Sequence, residues 1–325
     1  MVAAVGPGLV KRTLIIGAAG MIGRKLSERL SGEELILQDV VPFDGASFVS
    51  DLSAPDEAEK LVASRPELIF HLAAVVSGEA EADFGKGYRV NLDATRRLFE
   101  AIRKAGNGYQ PRVVFTSSIA VFGAPFPEAI GDEFLNAPLT SYGTQKAIGE
   151  LLLSDYSRRG FLDGIGLRLP TICVRPGRPN QAASGFFSGI IREPLNGQEA
   201  VLPVPESVRH WFASPRAAIG FLLHAARIDS AALGTRRNLS MPGISATVGE
   251  QIAALRKVAG EKAARLIRRE PDPTIKRIVE GWPQNFDTKR ALALGFRADR
   301  SFDDIIRIHI EDELQKSAQP RPGPA

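Results

Sequence analysis

The sequence predicts an α/β protein, with a doubly wound parallel sheet followed by a smaller C-terminal lobe. Three observations carry this expectation. Short β-rich runs alternate with longer amphipathic stretches through the first half of the chain. A glycine-rich turn falls directly after the first of those runs. From residue 170 onward the texture changes, and Pro170, Pro176, Gly177, Pro179, Pro194, Pro203 and Pro205 interrupt regular structure.

The strand-like runs are Thr13 to Ile16, Leu35 to Leu37, Ser47 to Val49, Leu68 to Leu72, Val113 to Phe115 and Ile165 to Leu169. After Asn91, the residues Leu92, Leu98, Phe99, Ile102 and Ala105 fall near one face of a helix, and Gly106 and Gly108 supply its stop. Further helices are expected over 215–226 and 248–258, with loops and short elements over 281–300. The predicted division is a nucleotide-binding sheet domain over residues 11–170 and a substrate lobe over 171–314, partly interleaved with it. Residues 1–10 and 315–325 read as tails.

Composition narrows the function classes. With 325 residues, of which 44% are hydrophobic and 24% charged, the chain is long enough for a large core and leaves little room for disorder. The net charge of +4 comes from interleaved acidic and basic residues, which argues against a nucleic-acid-binding stripe. Cys173 is the single cysteine, so no intramolecular disulfide forms, and its apolar surroundings mark it as a packing residue. His71, His210, His224 and His309 show no metal-ligand spacing, and no metal is expected. No stretch reads as a signal peptide or a membrane span, so the expectation is a cytoplasmic protein without a membrane partner.

Gly17-Ala18-Ala19-Gly20-Met21-Ile22-Gly23 follows the first strand and opens a helix. A pyrophosphate needs backbone N–H donors at a helix N-terminus, and glycines let the chain turn and approach it closely. The spacing departs from the commoner G-x-G-x-x-G, and a glycine turn without a ligand is the alternative. Asp39 ends the second strand, where a carboxylate accepts hydrogen bonds from ribose hydroxyls and repels a 2′-phosphate. NAD is therefore expected rather than NADP, and the sheet domain is of the Rossmann type. Asp51, with Leu52, stands where it either borders the adenine or caps a helix.

Tyr142 and Lys146 lie four residues apart in Ser141-Tyr142-Gly143-Thr144-Gln145-Lys146, a spacing that puts both on one helix face. A phenol with a pKa of about 10 is a poor base at neutral pH, and a neighbouring ammonium and a positive nicotinamide ring would favour the phenolate. Bringing that pKa to about 7 takes about 4 kcal/mol of differential stabilisation. The strand at Val113 to Phe115 runs into Thr116-Ser117-Ser118, at the carboxyl edge where open α/β sheets bind ligands. Ser118 is placed beside Tyr142 to hold a substrate oxygen; a plain strand-end turn is the alternative.

With these residues in place the chain resembles the extended short-chain dehydrogenase/reductase family over nearly its whole length. The resemblance rests on Gly17 to Gly23, Asp39, Asp51-Leu52, His71-Leu72-Ala73-Ala74, Asn91, Ser117-Ser118 with Val121-Phe122-Gly123, and Tyr142 to Lys146. It implies a catalytic set of Ser118, Tyr142 and Lys146. It also implies a cofactor wall that adds Leu72, Ala73, Ala74, Asn91, Thr116 and Pro170, and makes His71 structural. Two departures stand out: the family commonly has Tyr where Phe122 stands, and the run Arg168 to Gly177 lacks the Asn and Y-G-P of nucleotide-sugar members.

The segments Arg175 to Asn180, Ser184 to Pro194 and Arg209 to Pro215 are similar to the branch that acts on four-carbon sugar acids such as D-erythronate. For this chain the resemblance implies oxidation of a C2 hydroxyl to the 2-oxo acid and a two-fold dimer. A small sugar acid presents a carboxylate, and Arg175, Arg178, Arg192 and Arg209 fall in the suspected lobe, where arginine binds carboxylates bidentately. The substrate set is taken as Ser118, Tyr142, Val76, Thr171, Arg175 and Arg178. The rival readings are a nucleotide-sugar epimerase with the same triad and a regulatory NAD-binding protein without turnover.

Overall fold

The computed structural model describes residues 11–177 and 183–315. Strand β1 (Arg12–Ile16) places Leu14, Ile15 and Ile16 with no exposed surface, so both of its faces are covered, as in a parallel strand between helices. β2 (Glu34–Asp39), β3 (Phe48–Val49), β4 (Leu68–His71), β5 (Arg112–Ser118) and β6 (Asp163–Leu169) complete the first half. A later strand, β10 (Asn238–Ser240), joins them in a seven-stranded sheet of order β10-β6-β5-β4-β1-β2-β3, parallel throughout. Strand order reverses between β1 and β4, which sets a crevice at their carboxyl ends.

Alternate residues of each central strand feed opposite cores. Leu14, Ile16, Val113 and Phe115 pack with Leu61, Leu98, Phe99 and Ile102 on one face. Ile15, Phe70, Val114, Ile165 and Leu167 pack with Phe221, Leu222 and Phe296 on the other. The helix expected after Asn91 runs Ala94–Ala105 and ends on Gly106, at a φ of 53°; Leu92 lies in the π-helical turn Tyr88–Asp93 that leads into it. The later helices form at Pro215–Ala225 and Val248–Ala259, the second with a reciprocal Thr247–Glu250 capping box.

The remaining strands make two small sheets. β7 (Thr171–Ile172), β9 (Arg209–Ala213) and β11 (Ile244–Thr247) form one in the order β11-β9-β7, and β8 (Ala200–Leu202) pairs with β12 (Ile267–Arg269) in the other. Their core gathers Phe187, Ile190, Phe212, Ile252, Leu255, Phe302 and Ile305. Proline misled the sequence reading here. Pro194 reads in the sequence as a breaker, yet it sits inside the Gly185–Leu195 helix, in the last turn, where little helix remains beyond it to disturb.

Helix Ser141–Arg158 positions the site. A Cβ on Gly143 would come within 2.1 Å of the Ala120 carbonyl oxygen, and one on Gly149 within 2.8 Å of the Phe115 ring. The bare backbone at both points lets this helix settle onto the end of β5. Among the described residues no helix is long and apolar enough to cross a membrane.

Candidate active site

Three consecutive residues at the carboxyl end of β5 each engage helix Ser141–Arg158. Ser118 Oγ, which accepts from the Ala120 N–H at 3.1 Å, stands close enough to the Tyr142 phenol to lower its pKa. The Thr116 carbonyl accepts from Lys146 Nζ at 2.8 Å. Ser117 Oγ donates to Glu150 Oε1 at 2.6 Å. The helix starts where it does because Thr140 caps it, its Oγ1 accepting from the Gly143 N–H at 3.1 Å. Tyr142 therefore sits in the first turn, with Lys146 and Glu150 one and two turns further along the same stripe.

Of the two charges expected to favour the phenolate, the chain supplies the Lys146 ammonium, and burial works against it. The Tyr142 phenol lies above its ordinary value: burial pushes it up, and the Ser118 hydroxyl and the Arg175 guanidinium pull the other way. Lys146 Nζ is turned to Thr116 and lies 5.8 Å from the Tyr142 ring centroid and 4.9 Å from that of Phe115. Burial brings its pKa down to about 8, with Glu150 opposing the fall. Beneath it, His71 Nε2 meets Thr95 Oγ1 at 2.8 Å, and burial together with the Lys146 charge holds the imidazole at about 3. His71 is thus a neutral structural residue.

Glu150 anchors a buried polar cluster. Arg168 Nη2 meets its Oε2 at 2.7 Å and Asn136 Nδ2 donates to the same oxygen at 2.9 Å. The Arg168 guanidinium lies 4.8 Å from the centroid of Phe122, the position where the family commonly has Tyr. A ring without a hydroxyl packs there against Phe134 and Phe286.

At the other side of the crevice, Gly17 has a φ of +89°, and a Cβ on it would lie 2.7 Å from the Ala73 nitrogen; one on Gly23 would lie 2.3 Å from the Gly17 carbonyl oxygen. These two glycines serve the packing of β1, β4 and the following helix against each other. Gly20 is different: its Cβ would meet only the Gly17 oxygen, at 3.3 Å. It precedes helix Met21–Arg29, whose first turn, including Met21, Ile22 and Gly23, has no side-chain cap. Free N–H groups at a helix start beside a bare backbone fit an anionic diphosphate. Asp39 stands at the end of β2, its Oδ2 accepting from the Ala19 N–H at 2.9 Å and its Oδ1 from the Val41 N–H at 3.1 Å.

Asp51 is not a helix N-cap. Its Oδ1 accepts from the Ser53 N–H at 2.8 Å and from Ser53 Oγ at 2.6 Å, closing a turn, and the next helix starts at Glu57 behind Asp56. Leu52 is buried in the sheet core.

The β4 exit holds Leu72, Ala73 and Ala74, all half-buried. Asn91 does not present a polar group to this wall. Its Oδ1 accepts from the Val75 N–H at 2.9 Å and its Nδ2 donates to Val75 O and Gln145 Oε1 at 3.1 and 2.7 Å, so it shapes the wall through Val75. Val76 is exposed just before helix Ser77–Ala82, whose Glu81 accepts the Ser141 N–H at 2.9 Å. Pro170 is buried between β6 and β7. Thr171, expected in the substrate set, has its hydroxyl turned to His210, Oγ1 lying 2.6 Å from Nε2.

The arginines separate by partner. Arg192 donates to the Arg175 carbonyl at 2.8 Å and pairs with Glu193 at 2.5 Å; Arg209 meets Glu250 at 3.3 Å. Arg178 lies outside the described residues. Arg175 is held by its backbone, its N–H donating to Ser188 Oγ at 3.0 Å, and by Nε on the Ile172 carbonyl at 3.3 Å. Its charge acts on Tyr142, and no carboxylate among the described residues pairs with it. Cys173 is buried behind it, its thiol pushed up to about 12 by burial, which leaves it inert.

Sequence reasoning missed Glu150, Gln145 and Ser188. The only signal for Glu150 was its spacing, a third polar residue continuing the Tyr142–Lys146 stripe. For Arg168, named only as part of a run, it was a charge inside an otherwise apolar strand.

Comparison with known proteins agrees with this architecture. The model of the NAD dependent epimerase/dehydratase family matches residues 13–232. A D-erythronate dehydrogenase of Cupriavidus necator is 48% identical over 92% of this chain and 98% of its own length; that of Haemophilus influenzae is 41% identical over 93% and 100%. A crystal structure described as the nucleoside-diphosphate-sugar epimerase from Agrobacterium tumefaciens is 63% identical, covers 98% of this chain and 100% of its own, and superposes with a TM-score of 0.91. An L-threonine dehydrogenase from Clostridium difficile, 21% identical with a TM-score of 0.85, shares the fold. A doubly wound sheet, a glycine turn backed by an acid, and a Tyr–Lys helix under a serine thus meet in a chain that belongs to the NAD dependent epimerase/dehydratase family.

Proposed function

We propose that the protein is an NAD-dependent dehydrogenase that oxidises the C2 hydroxyl of a small sugar acid, D-erythronate, to the 2-oxo acid. The observation that carries the substrate class is Arg175, a held guanidinium beside Tyr142 with no carboxylate partner among the described residues. A guanidinium so placed fits the carboxylate of a 2-hydroxy acid whose hydroxyl lies at the phenol. The names of the relatives, at 48% and 41% identity over almost the whole chain, point the same way.

NAD, when bound, accepts the carbinol hydride and brings a positive ring to the site. In this reading the first turn of helix Met21–Arg29 holds the diphosphate and Asp39 the adenosine ribose. Ser118 holds the substrate oxygen. Tyr142 takes the hydroxyl proton, so one alcohol gives one ketone, one hydride to the cofactor and one proton to the phenolate. Lys146 adds positive charge near the phenol and Thr116 fixes its position. In keeping with the sequence reading, we place the enzyme in the cytoplasm as a homodimer, which sedimentation in solution tests.

The 63%-identical structure favours a second reading, a nucleotide-sugar epimerase, in which the cofactor is reduced and reoxidised within each cycle. Absorbance at 340 nm separates them. The dehydrogenase reading expects net NADH from C4 to C6 aldonates with NAD and much less with NADP. Turnover of nucleotide sugars without net NADH would replace it by the epimerase reading.

A further inference from the structure

The mechanism above leaves one buried carboxylate on the catalytic stripe without a task. Glu150 is 1% exposed and Lys146 2%. The carboxylate is fixed from three sides: Ser117 Oγ at 2.6 Å, Asn136 Nδ2 at 2.9 Å, and Arg168 through Nε at 2.9 and 3.1 Å and Nη2 at 2.7 Å. Taking a carboxylate and a guanidinium this far out of water is expensive, and apolar residues would fill the same space more cheaply. Ser117, which bonds it, stands directly between Thr116, which bonds Lys146, and Ser118, whose hydroxyl acts on the Tyr142 phenol.

We propose that Glu150 is a positioning residue whose negative charge, oriented by Arg168 and Ser117, keeps Lys146 an ammonium for the chemistry at Tyr142. The inference rests on the role given to Lys146 above. The groups facing that amine are few. On its own helix they are Tyr142 and Glu150. From β4 comes the neutral His71, and from β5 the Thr116 carbonyl and the Phe115 ring. From β6, Arg168 lies behind Glu150. Glu150 is the one anion in this set. Without it Lys146 would face the Arg168 cation with nothing to offset either charge, and burial would drive the proton off at lower pH.

The two members of the pair therefore act on Lys146 in opposite senses, and this makes the idea testable against a merely structural role. The readout is the alkaline limb of the kcat profile, which follows loss of the Lys146 proton. Glu150→Gln is expected to move it down by about one pH unit, and Arg168→Gln to move it up, because it leaves Glu150 unopposed. A structural role predicts that both variants lose stability with the limb unmoved, or moved the same way; either result overturns the proposal. The Lys146 Cε resonance in 13C-lysine-labelled protein, assigned by its disappearance in Lys146→Met, gives the same midpoints without turnover. Failure of the activity reading, seen as no wild-type NADH formation, is thus told apart from failure of this one. Should Glu150→Gln not fold, Glu150→Asp draws the anion back by one methylene and is expected to lower the midpoint by less. An unmoved midpoint there overturns the proposal as well.

Discussion

The backbone N–H of Ala19 donates to Asp39 Oδ2 at 2.9 Å, so the acid proposed to face the nucleotide also ties down the glycine turn proposed to cradle it. Selectivity and cradle geometry are therefore coupled. Asp39→Asn keeps an acceptor and is expected to raise the KM for NAD by about tenfold. Asp39→Ala loses both jobs and is expected to cost more, without a matching gain for NADP. Steady-state kinetics with both cofactors check this; an Ala variant no worse than Asn would show that the Ala19 contact is idle.

Tyr142→Phe removes the proposed proton acceptor while leaving the ring beside Lys146. We expect kcat to fall by about 10²–10⁴-fold with little change in the Kd for NAD. Single-turnover rates and equilibrium binding measure the two separately, and a rate close to wild type would discard the phenol as the base.

Arg175→Met should raise KM for a sugar acid by about 10- to 100-fold, the worth of a charge-assisted hydrogen bond to a carboxylate. Oxidation of the corresponding neutral polyol should be far less affected. Equal losses on acid and polyol would mean that the arginine supports the fold rather than the substrate.

Lys146 has a folded pKa of about 8 against an ordinary 10.5, so between those values the unfolded chain holds more protons and stability rises with pH. At pH 7 the buried charge is a burden. Lys146→Met is expected to abolish turnover yet to unfold at higher urea concentration at pH 7, by about 3 kcal/mol, with the gain shrinking toward pH 10. Equal or lower stability at pH 7 would count against the buried ammonium.

Histidine burial sets the acid side. His71 and His210 are held at about 3 and about 4 by burial, below the ordinary 6.5, so the unfolded chain takes up protons first as pH falls through 6.5 and stability drops. Each should cost about 2 kcal/mol between pH 7.5 and pH 5. Urea titrations at the two pH values test this, and His210→Gln should lose its share of the drop.

The parts of the site legible in the sequence are those that depend on local spacing. Gly17 to Gly23, the strand-ending Asp39 and the Tyr142–Lys146 interval each act through neighbours on one element or one turn. What escaped depends on contacts between distant segments. Nothing near Asn91 announces that its amide is spent on Val75 and Gln145, or near Thr171 that His210 takes its hydroxyl. Setting Arg175 apart from Arg192 and Arg209 needed the partners of those two. The small strands were invisible because two to five residues carry no periodicity, and Pro194 looked like a breaker because its place in the last turn is a property of the folded helix.

The β10 strand lies between β9 and β11 in the chain but pairs with β6 in the large sheet. During synthesis the ribosome must therefore deliver roughly seventy more residues after β6 before that edge is capped. Until then a row of unpaired amides stands open to other nascent chains. Fragments that stop near residue 170 should consequently precipitate on expression, and any attempt to graft a different lobe onto this scaffold has to carry residues 238–240 along with the host, not with the insert.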